Sequence, residues 1–161
     1  MPKLTGYGNL FTNTSLDANF FKLPYGKEWI ITETPGASSA DKNSTMEKFW
    51  WLVMQKKSKL VVMFETKEEK GDAPTKDKMY FPLKKGEKLA LNGLTLECLE
   101  CQKDKNGLLY RKISGVFGKG KGGKKFTVTH YFFYNWDVRT TNIATRDLLI
   151  CLLKTALSQK S

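Results

Sequence analysis

Two closely spaced cysteines are the first residues of this chain whose types and spacing could support chemistry. Cys98 and Cys101 form a Cys-x-x-Cys pair, a spacing used by zinc knuckles and thiol redox sites. The pair falls at the end of a predicted strand, where side chains three positions apart point to opposite faces. The sequence offers no second pair of ligands. We therefore interpret the spacing as coincidental and expect neither a metal site nor another cofactor.

His130 is the only histidine, and it is the natural candidate for acid–base catalysis. Such catalysis needs a titratable group with a partner that orients it. In the segment 126–136, period-two alternation places His130 on the same strand face as Val128 and Phe132. The carboxylates are scattered among lysines without a paired spacing. We predict a packed core histidine and a protein that is not an enzyme.

A glycine- and lysine-only segment, 118–125, raises the question of anion binding. Glycine lets backbone N–H groups approach an anion, and lysine adds charge. The Walker spacing is absent, so a nucleotide pocket is not indicated. A hairpin tip that follows a nucleic-acid backbone fits, and so does a merely solvated tip. Two rings on the next strand would stack on bases if exposed. The predicted nucleic-acid contacts are Lys119, Lys121, Lys124, Lys125, Tyr131, Phe133, Arg111 and Arg139.

The charge balance favours an acidic partner. The chain carries 27 lysines and arginines against 16 aspartates and glutamates, a net charge of +11. Nucleic acid, a membrane surface, an acidic polysaccharide or a protein would each fit. Our leading hypothesis is a non-enzymatic binding protein for an anionic polymer, with single-stranded nucleic acid favoured. The alternative is an accessory protein–protein interaction module whose basic surface only confers solubility.

Cysteine count and hydropathy bear on location. Three cysteines do not indicate a disulfide scaffold. No apolar run reaches the roughly eighteen residues of a membrane span, and residues 1–8 lack the apolar core of a signal peptide. We expect a soluble, cytoplasmic protein without a membrane span, with an exported mature form as the alternative.

The elements that would position these residues centre on one hairpin. Two long strands, 108–117 and 126–136, flank the glycine and lysine segment, and a helix is predicted over 145–157. Residues 1–26 are expected to be irregular, with a possible short helix at 15–21, and 68–78 to be a charged loop. Further strands are predicted at 29–34 and 79–82, and a hairpin is predicted over 88–101 around Asn92-Gly93. The segments 46–55 and 60–67 are predicted to be two strands of another hairpin, with a single helix through both as the alternative. The expected fold is a single α+β domain, a curved and mostly antiparallel sheet of about six to eight strands closed by the C-terminal helix.

The C-terminal part resembles one known family. The glycine and lysine segment, the run 128–134, the link bearing Arg139 and the apolar helix are similar to the end of exosortase-associated exopolysaccharide proteins. The earlier segments 61–65 and 81–86 lie in the order of that family's strand and proline-containing segment. The resemblance implies an exported accessory protein with no proven catalysis.

Overall fold

The described part of the chain forms a single, mostly β domain. The computed structural model describes residues 18–22, 28–35, 45–66, 80–91, 93–103, 108–118, 122–136, 146–147, 150 and 153–154. Its elements in chain order are β1 (Ala18–Lys22), β2 (Glu28–Thr32), α1 (Thr45–Gln55), β3 (Leu60–Thr66), β4 (Lys88–Leu91), β5 (Leu94–Lys103), β6 (Leu108–Phe117) and β7 (Lys124–Trp136).

The strands of these ranges form two sheets. Strands β1 and β2 make an antiparallel ribbon, and the other five make a sheet of order β3-β7-β6-β5-β4. Strand β3 pairs with β7 in parallel, while β4 to β7 pair with their sequence neighbours in antiparallel. The main sheet is therefore mixed. After β3 the chain forms β4, β5 and β6, and it then returns as β7 beside β3.

Two of the three predicted hairpins, those over 88–101 and 108–136, are confirmed. Leu91 pairs with Leu94 across the β4–β5 turn, where Gly93 adopts a φ of 75° that suits glycine. Strands β6 and β7 pair along their lengths, from Phe117 opposite Lys124 to Leu108 opposite Phe133. Turn residues and alternation specify both hairpins locally, which is why the sequence predicts them.

The predicted strand at 46–55 is wrong, because this segment is helix α1. Eight consecutive residues, Met46 to Val53, are buried. A helix buried on all sides lacks the polar stripe that gives a helical period, so periodicity could not distinguish it from a buried strand. The helix ends in a Schellman motif: Lys57 N–H donates to the Met54 carbonyl at 3.0 Å, and Ser58 N–H donates to the Val53 carbonyl at 3.0 Å.

Three other predictions meet the structure differently. The possible helix at 15–21 is wrong from Ala18 onward, because Ala18 begins strand β1. The same strand lies within residues 1–26, which were expected to be irregular. The predicted strand at 79–82 is wrong from Tyr80 onward, where the backbone bends. The segment 68–78 lies outside the described residues. In the C-terminal segment, residues 146, 147, 150, 153 and 154 are helical, and the closure of the sheet by a helix stays a prediction.

Helix α1 covers one face of the main sheet and creates the core. The Trp50 ring stacks on Phe126 of β7 at 5.8 Å between centroids, and Trp51 meets Phe117 of β6 edge-on at 5.0 Å. Gly115 leaves the space that the Phe126 ring occupies, since a Cβ there would overlap the ring. This face carries the alternate residues of β7 that include His130, as predicted.

Candidate functional site

A buried polar pair lies at the centre of the covered face. Tyr80 Oη lies 3.0 Å from His130 Nε2, within hydrogen-bonding distance, and both residues are buried. Phe81 packs against the imidazole with its ring centroid at 4.3 Å. Burial, assisted by the nearby Arg111 charge, lowers the pKa of His130 to about 3. Burial also raises the pKa of Tyr80, so both groups are neutral near pH 7.

Arg111 belongs to the same cluster. It faces His130 across the β6–β7 pair. Its Nε donates to the Leu83 carbonyl at 3.1 Å, and its guanidinium carbon lies 4.9 Å from the Phe81 ring centroid. Its Nη1 has no hydrogen-bond partner among the described residues. Burial lowers the pKa of Arg111, and nearby thiols and Glu87 oppose that shift. Since the side chain is buried, it is not presented to a polymer at the surface.

The cysteine pair lies on this face as well, contrary to the sequence argument. Cys98 pairs with Ile113 and Cys101 pairs with Arg111, because the register shifts between Cys98 and Glu100. Leu99 is the extra residue of this bulge, and the shift turns both thiols to one side. Burial raises the pKa of the Cys98 thiol. A nucleophilic cysteine needs the opposite shift, so Cys98 is a structural thiol.

Among the predicted nucleic-acid contacts, the residues that the structure describes do not lie together on one exposed surface. Lys124 and Lys125 are exposed at the start of β7, and the Lys124 ammonium lies 5.3 Å from the Trp51 ring centroid. Tyr131 is half-buried against Tyr110, with ring centroids 5.5 Å apart. Phe133 is buried and stacks on Phe64 at 5.0 Å. The remaining predicted contacts, Lys119, Lys121 and Arg139, lie outside the described residues.

Neither a metal centre nor a membrane-spanning helix emerges from the described ranges. They contain no group of three or more His, Cys, Asp and Glu side chains that could hold a metal ion. Within the same residues, no helix has both the length and the apolar character needed to cross a bilayer. The described polar chemistry is a buried, hydrogen-bonded core cluster of Tyr80, His130 and Arg111.

Sequence reasoning missed the partner of His130. Tyr80 and Phe81 belong to the strand predicted at 79–82, yet in the structure they supply the hydroxyl and the ring that contact the imidazole. The sequence does contain one signal, because large aromatic side chains such as those of Tyr80 and Phe81 usually contribute to a core. Their proximity to His130, 50 positions away along the chain, is a tertiary fact that no local pattern contains.

The chain resembles known proteins in fold and in sequence family. The family model "Protein-tyrosine phosphatase" matches residues 12–160. The catalytic domain of human protein tyrosine phosphatase non-receptor type 18 shares 17% identity and superposes with a TM-score of 0.68, covering 91% of this chain and 49% of that chain. None of the curated protein sequences matches the chain.

Two further structures of PTPN18 give the same picture. One, described as the structural basis of the PTPN18 fingerprint on distinct HER2 tyrosine phosphorylation sites, has a TM-score of 0.67 at 17% identity, with 91% and 48% of the two chains covered. The other, PTPN18 in complex with HER2-pY1196 phosphopeptides, has a TM-score of 0.66 at 16% identity, with 91% and 47% covered. At such identities these likenesses establish the fold alone, and the chain spans about half the length of these neighbours.

These findings overturn several sequence predictions. The resemblance to exosortase-associated proteins is wrong, since the matching family is a different one. The prediction of a non-enzymatic nucleic-acid-binding protein is also wrong, because the matching family is one of protein-tyrosine phosphatases. The predicted anionic-polymer partner is wrong for the same reason, since one of the neighbouring structures is PTPN18 in complex with HER2-pY1196 phosphopeptides. Because the family model covers nearly the whole sequence, the chain belongs to the protein-tyrosine phosphatase family.

Proposed function

We propose that this protein acts as a protein-tyrosine phosphatase on tyrosine-phosphorylated segments of other proteins. The family match over residues 12–160 is the observation that carries the proposal. We infer the substrate class from the neighbouring structures of PTPN18, which concern HER2 tyrosine phosphorylation sites and HER2-pY1196 phosphopeptides. We also propose that the protein is cytoplasmic, as the sequence predicted. The proposal further includes a C-terminal helix that docks on the sheet.

The proposed reaction requires particular chemical groups, and the described residues can be compared with these requirements. Hydrolysis forms a bond from a water oxygen to phosphorus and breaks the bond from phosphorus to the tyrosyl oxygen, which takes up a proton. It needs an activated nucleophile or water, donors for the phosphoryl oxygens and an acid for the leaving group. Cys98 is buried with a raised thiol pKa, and His130 is buried and neutral. In this proposal, neither Cys98 nor His130 supplies a reacting group.

The described sheet and helix supply a rigid support in this proposal. The Tyr80–His130 contact fixes the bend after residue 79 against β7, and Arg111 Nε fixes the Leu83 carbonyl against β6. The parallel pair β3 and β7 ends at the segments that follow Thr66 and Trp136. In open α/β sheets, ligands bind beyond the carboxyl ends of the parallel strands. We place the phosphotyrosine site at that end.

A second candidate is phosphotyrosine binding without hydrolysis. It is favoured by the state of the described thiol and imidazole groups, since neither Cys98 nor His130 is poised for covalent or acid–base work. The two functions share a ligand and differ only in turnover.

Two readouts on the full chain separate these functions. A fluorescent peptide carrying phosphotyrosine is tested for binding by anisotropy and for release of inorganic phosphate, with matched tyrosine and phosphoserine peptides as controls. Release of phosphate from the phosphotyrosine peptide supports the phosphatase. Selective binding without release supports the recognition module instead. Failure to distinguish phosphotyrosine from unmodified tyrosine in both assays would overturn the proposal. Cys98→Ser should leave either activity in place, because that thiol is structural.

A further inference from the structure

Strand β3 forms one edge of the main sheet. Among the described strands its only neighbour is β7, in the order β3-β7-β6-β5-β4. The Thr129 N–H donates to the Lys59 carbonyl at 2.9 Å, so the parallel ladder directs the backbone groups of Val61 towards β7. The N–H and C=O groups of Leu60 and Val62 therefore point away from β7, and no strand in the described ranges pairs with them.

The two edges of the main sheet differ in how they are protected. The edge strand β4 has only four residues, Lys88–Leu91, and the Lys88 ammonium lies 3.8 Å from the Glu97 carboxylate. A short length and a lysine are both typical of edge strands that avoid pairing with another chain. Strand β3 has seven residues, Leu60–Thr66, and its segment 60–64 is entirely apolar. Since it has neither protection, β3 is suited to the addition of a further strand.

The segment 60–64 is complementary to a second copy of itself. In an antiparallel pair centred on Val62, this residue lies opposite Val62 of the second copy, and Leu60 lies opposite Phe64. Residues whose backbone groups face the partner strand exchange both N–H···O bonds with it, and Val62 has this orientation. Every residue of the segment then faces an apolar residue. The Phe64 side chain, which is 42% exposed, would lose part of that exposure against Leu60.

We propose that the outer edge of β3 pairs with β3 of a second copy of this chain. The product is a symmetric dimer whose main sheet continues across the interface. An isologous contact of this kind uses one surface twice, and its main-chain hydrogen bonds contribute affinity. The strand of an unrelated partner would not require segment 60–64 to match its own reverse, so the self-complementary segment favours a second copy. The inference does not depend on the proposed phosphatase activity.

The charge of the chain gives the dimer a characteristic salt dependence. Two copies that each carry a net charge of +11 repel each other. Raising the salt concentration from about 0.01 M to about 0.1 M shortens the screening length from about 30 Å to about 10 Å. The dimer should therefore become more stable with added salt, whereas binding of a polyanion would become weaker.

Sedimentation of the full chain by analytical ultracentrifugation tests the proposal. The wild-type protein should convert from monomer to dimer as its concentration rises, and added salt should shift this transition to lower concentration. A wild type that stays monomeric up to about 1 mM, the weak limit of specific association, would overturn the proposal.

Charge substitutions at the symmetry axis test the register. Val62→Lys should weaken the dimer on the order of 100-fold, because the two lysines would face each other. Val62→Glu should have a similar effect for the same reason. A mixture of the two variants should restore a dimer that contains one copy of each, since unlike charges then lie opposite each other. If the mixture stays monomeric, the pairing is not centred on Val62 and the proposal fails.

Val116→Lys is the matched control. Val116 is half-buried like Val62 and lies on the same face of the sheet, but it belongs to β6, which is flanked by β5 and β7. This variant should dimerise like the wild type. Equal losses in Val62→Lys and Val116→Lys would place the contact on the face of the sheet and overturn the edge pairing. Thermal unfolding checks that each variant retains the fold.

Hydrogen exchange of the wild type supplies a readout that needs no variant. The Val61 amide faces β7 and should be protected at every protein concentration, whereas the Val62 amide should become protected only as the dimer forms. Protection of the Val62 amide in a monomeric sample would show that another segment of the same chain occupies the edge, and the proposal would fail. Rapid exchange of the Val62 amide in a dimeric sample would place the interface elsewhere and would also overturn it.

Discussion

Tyr80 Oη lies 3.0 Å from His130 Nε2, and both residues are buried in the core. The two residues come from segments 50 positions apart, so this contact joins the bend before β4 to the middle of β7. The other ring nitrogen, Nδ1, has no hydrogen-bond partner among the described residues. The tyrosine hydroxyl is therefore the principal polar contact that the described structure provides to the imidazole.

Removing that hydroxyl should destabilise the fold. Tyr80→Phe keeps the ring and leaves His130 Nε2 unsatisfied in the core, which costs about 1–3 kcal/mol. Urea unfolding measures the loss. Tyr110→Phe is the matched control, because Tyr110 is half-buried on the other face of the sheet, and it should cost less than about 0.5 kcal/mol. Equal effects of the two substitutions would show that the Tyr80–His130 contact contributes nothing specific.

The buried imidazole should make stability depend on pH. The folded pKa of His130 is about 3, below the ordinary value of 6.5. Between these values the unfolded chain binds a proton that the folded chain does not, so the free energy of unfolding falls as the pH falls from 6.5 towards 3. The contribution reaches about 1.4 kcal/mol per pH unit. Carboxylates add their own slope, so the measurement is the difference between wild type and His130→Phe, whose profile should be flatter. Parallel profiles would show that His130 is not held neutral.

Local patterns predicted the hairpins of this fold but not its helix. Asn92-Gly93 and the alternation of β6 and β7 are signals within a few residues of one another, and the structure follows them. The segment 46–55 carries aromatic and branched residues on every side, because it is buried on every side. Its conformation is decided by packing against Phe117 and Phe126, which lie more than sixty positions away. The aromatic and branched composition alone therefore predicts a strand where the structure has helix α1.

The cluster on the covered face was predictable only in part. Alternation predicted that His130 is a core residue, and the structure places it there. The same reasoning separated Cys98 from Cys101, because it assumed a regular strand. The bulge at Leu99 reverses that assignment, and bulges have no reliable signature in a single sequence. The charge excess, meanwhile, suggested an acidic partner without indicating its class.

The close approach at Gly115 predicts a steric conflict that a double-mutant cycle can isolate. A Cβ at this position would overlap the Phe126 ring. Gly115→Ala should therefore cost about 1–3 kcal/mol through overpacking. In a Phe126→Ala background the obstacle is absent, and the same substitution should be neutral or stabilising, because alanine suits a strand interior better than glycine. Additive effects in unfolding experiments would contradict a direct conflict between the two positions.

If the predicted C-terminal helix docks on the sheet, two residues of this segment should differ in how much their substitution by alanine destabilises the fold. Leu152 lies on the apolar stripe predicted to dock on the sheet, so Leu152→Ala should cost about 2–5 kcal/mol. Ile150 is 43% exposed in the structure, and Ile150→Ala should cost less than about 0.5 kcal/mol. Denaturant unfolding gives both values. The reverse order would mean that the helix docks through a different face.

The raised thiol pKa of Cys98 predicts low reactivity towards alkylating agents. Burial disfavours the thiolate, which is the reactive form. Two variants isolate the thiols: Cys101→Ser with Cys151→Ser leaves Cys98, and Cys98→Ser with Cys151→Ser leaves Cys101, which is half-buried. At pH 7.5 the Cys98 variant should react with iodoacetamide at least about tenfold more slowly than the Cys101 variant. In denaturant the two rates should converge, because the difference arises from folding. Equal rates in the folded proteins would make Cys98 accessible and restore it as a candidate nucleophile for the proposed phosphatase.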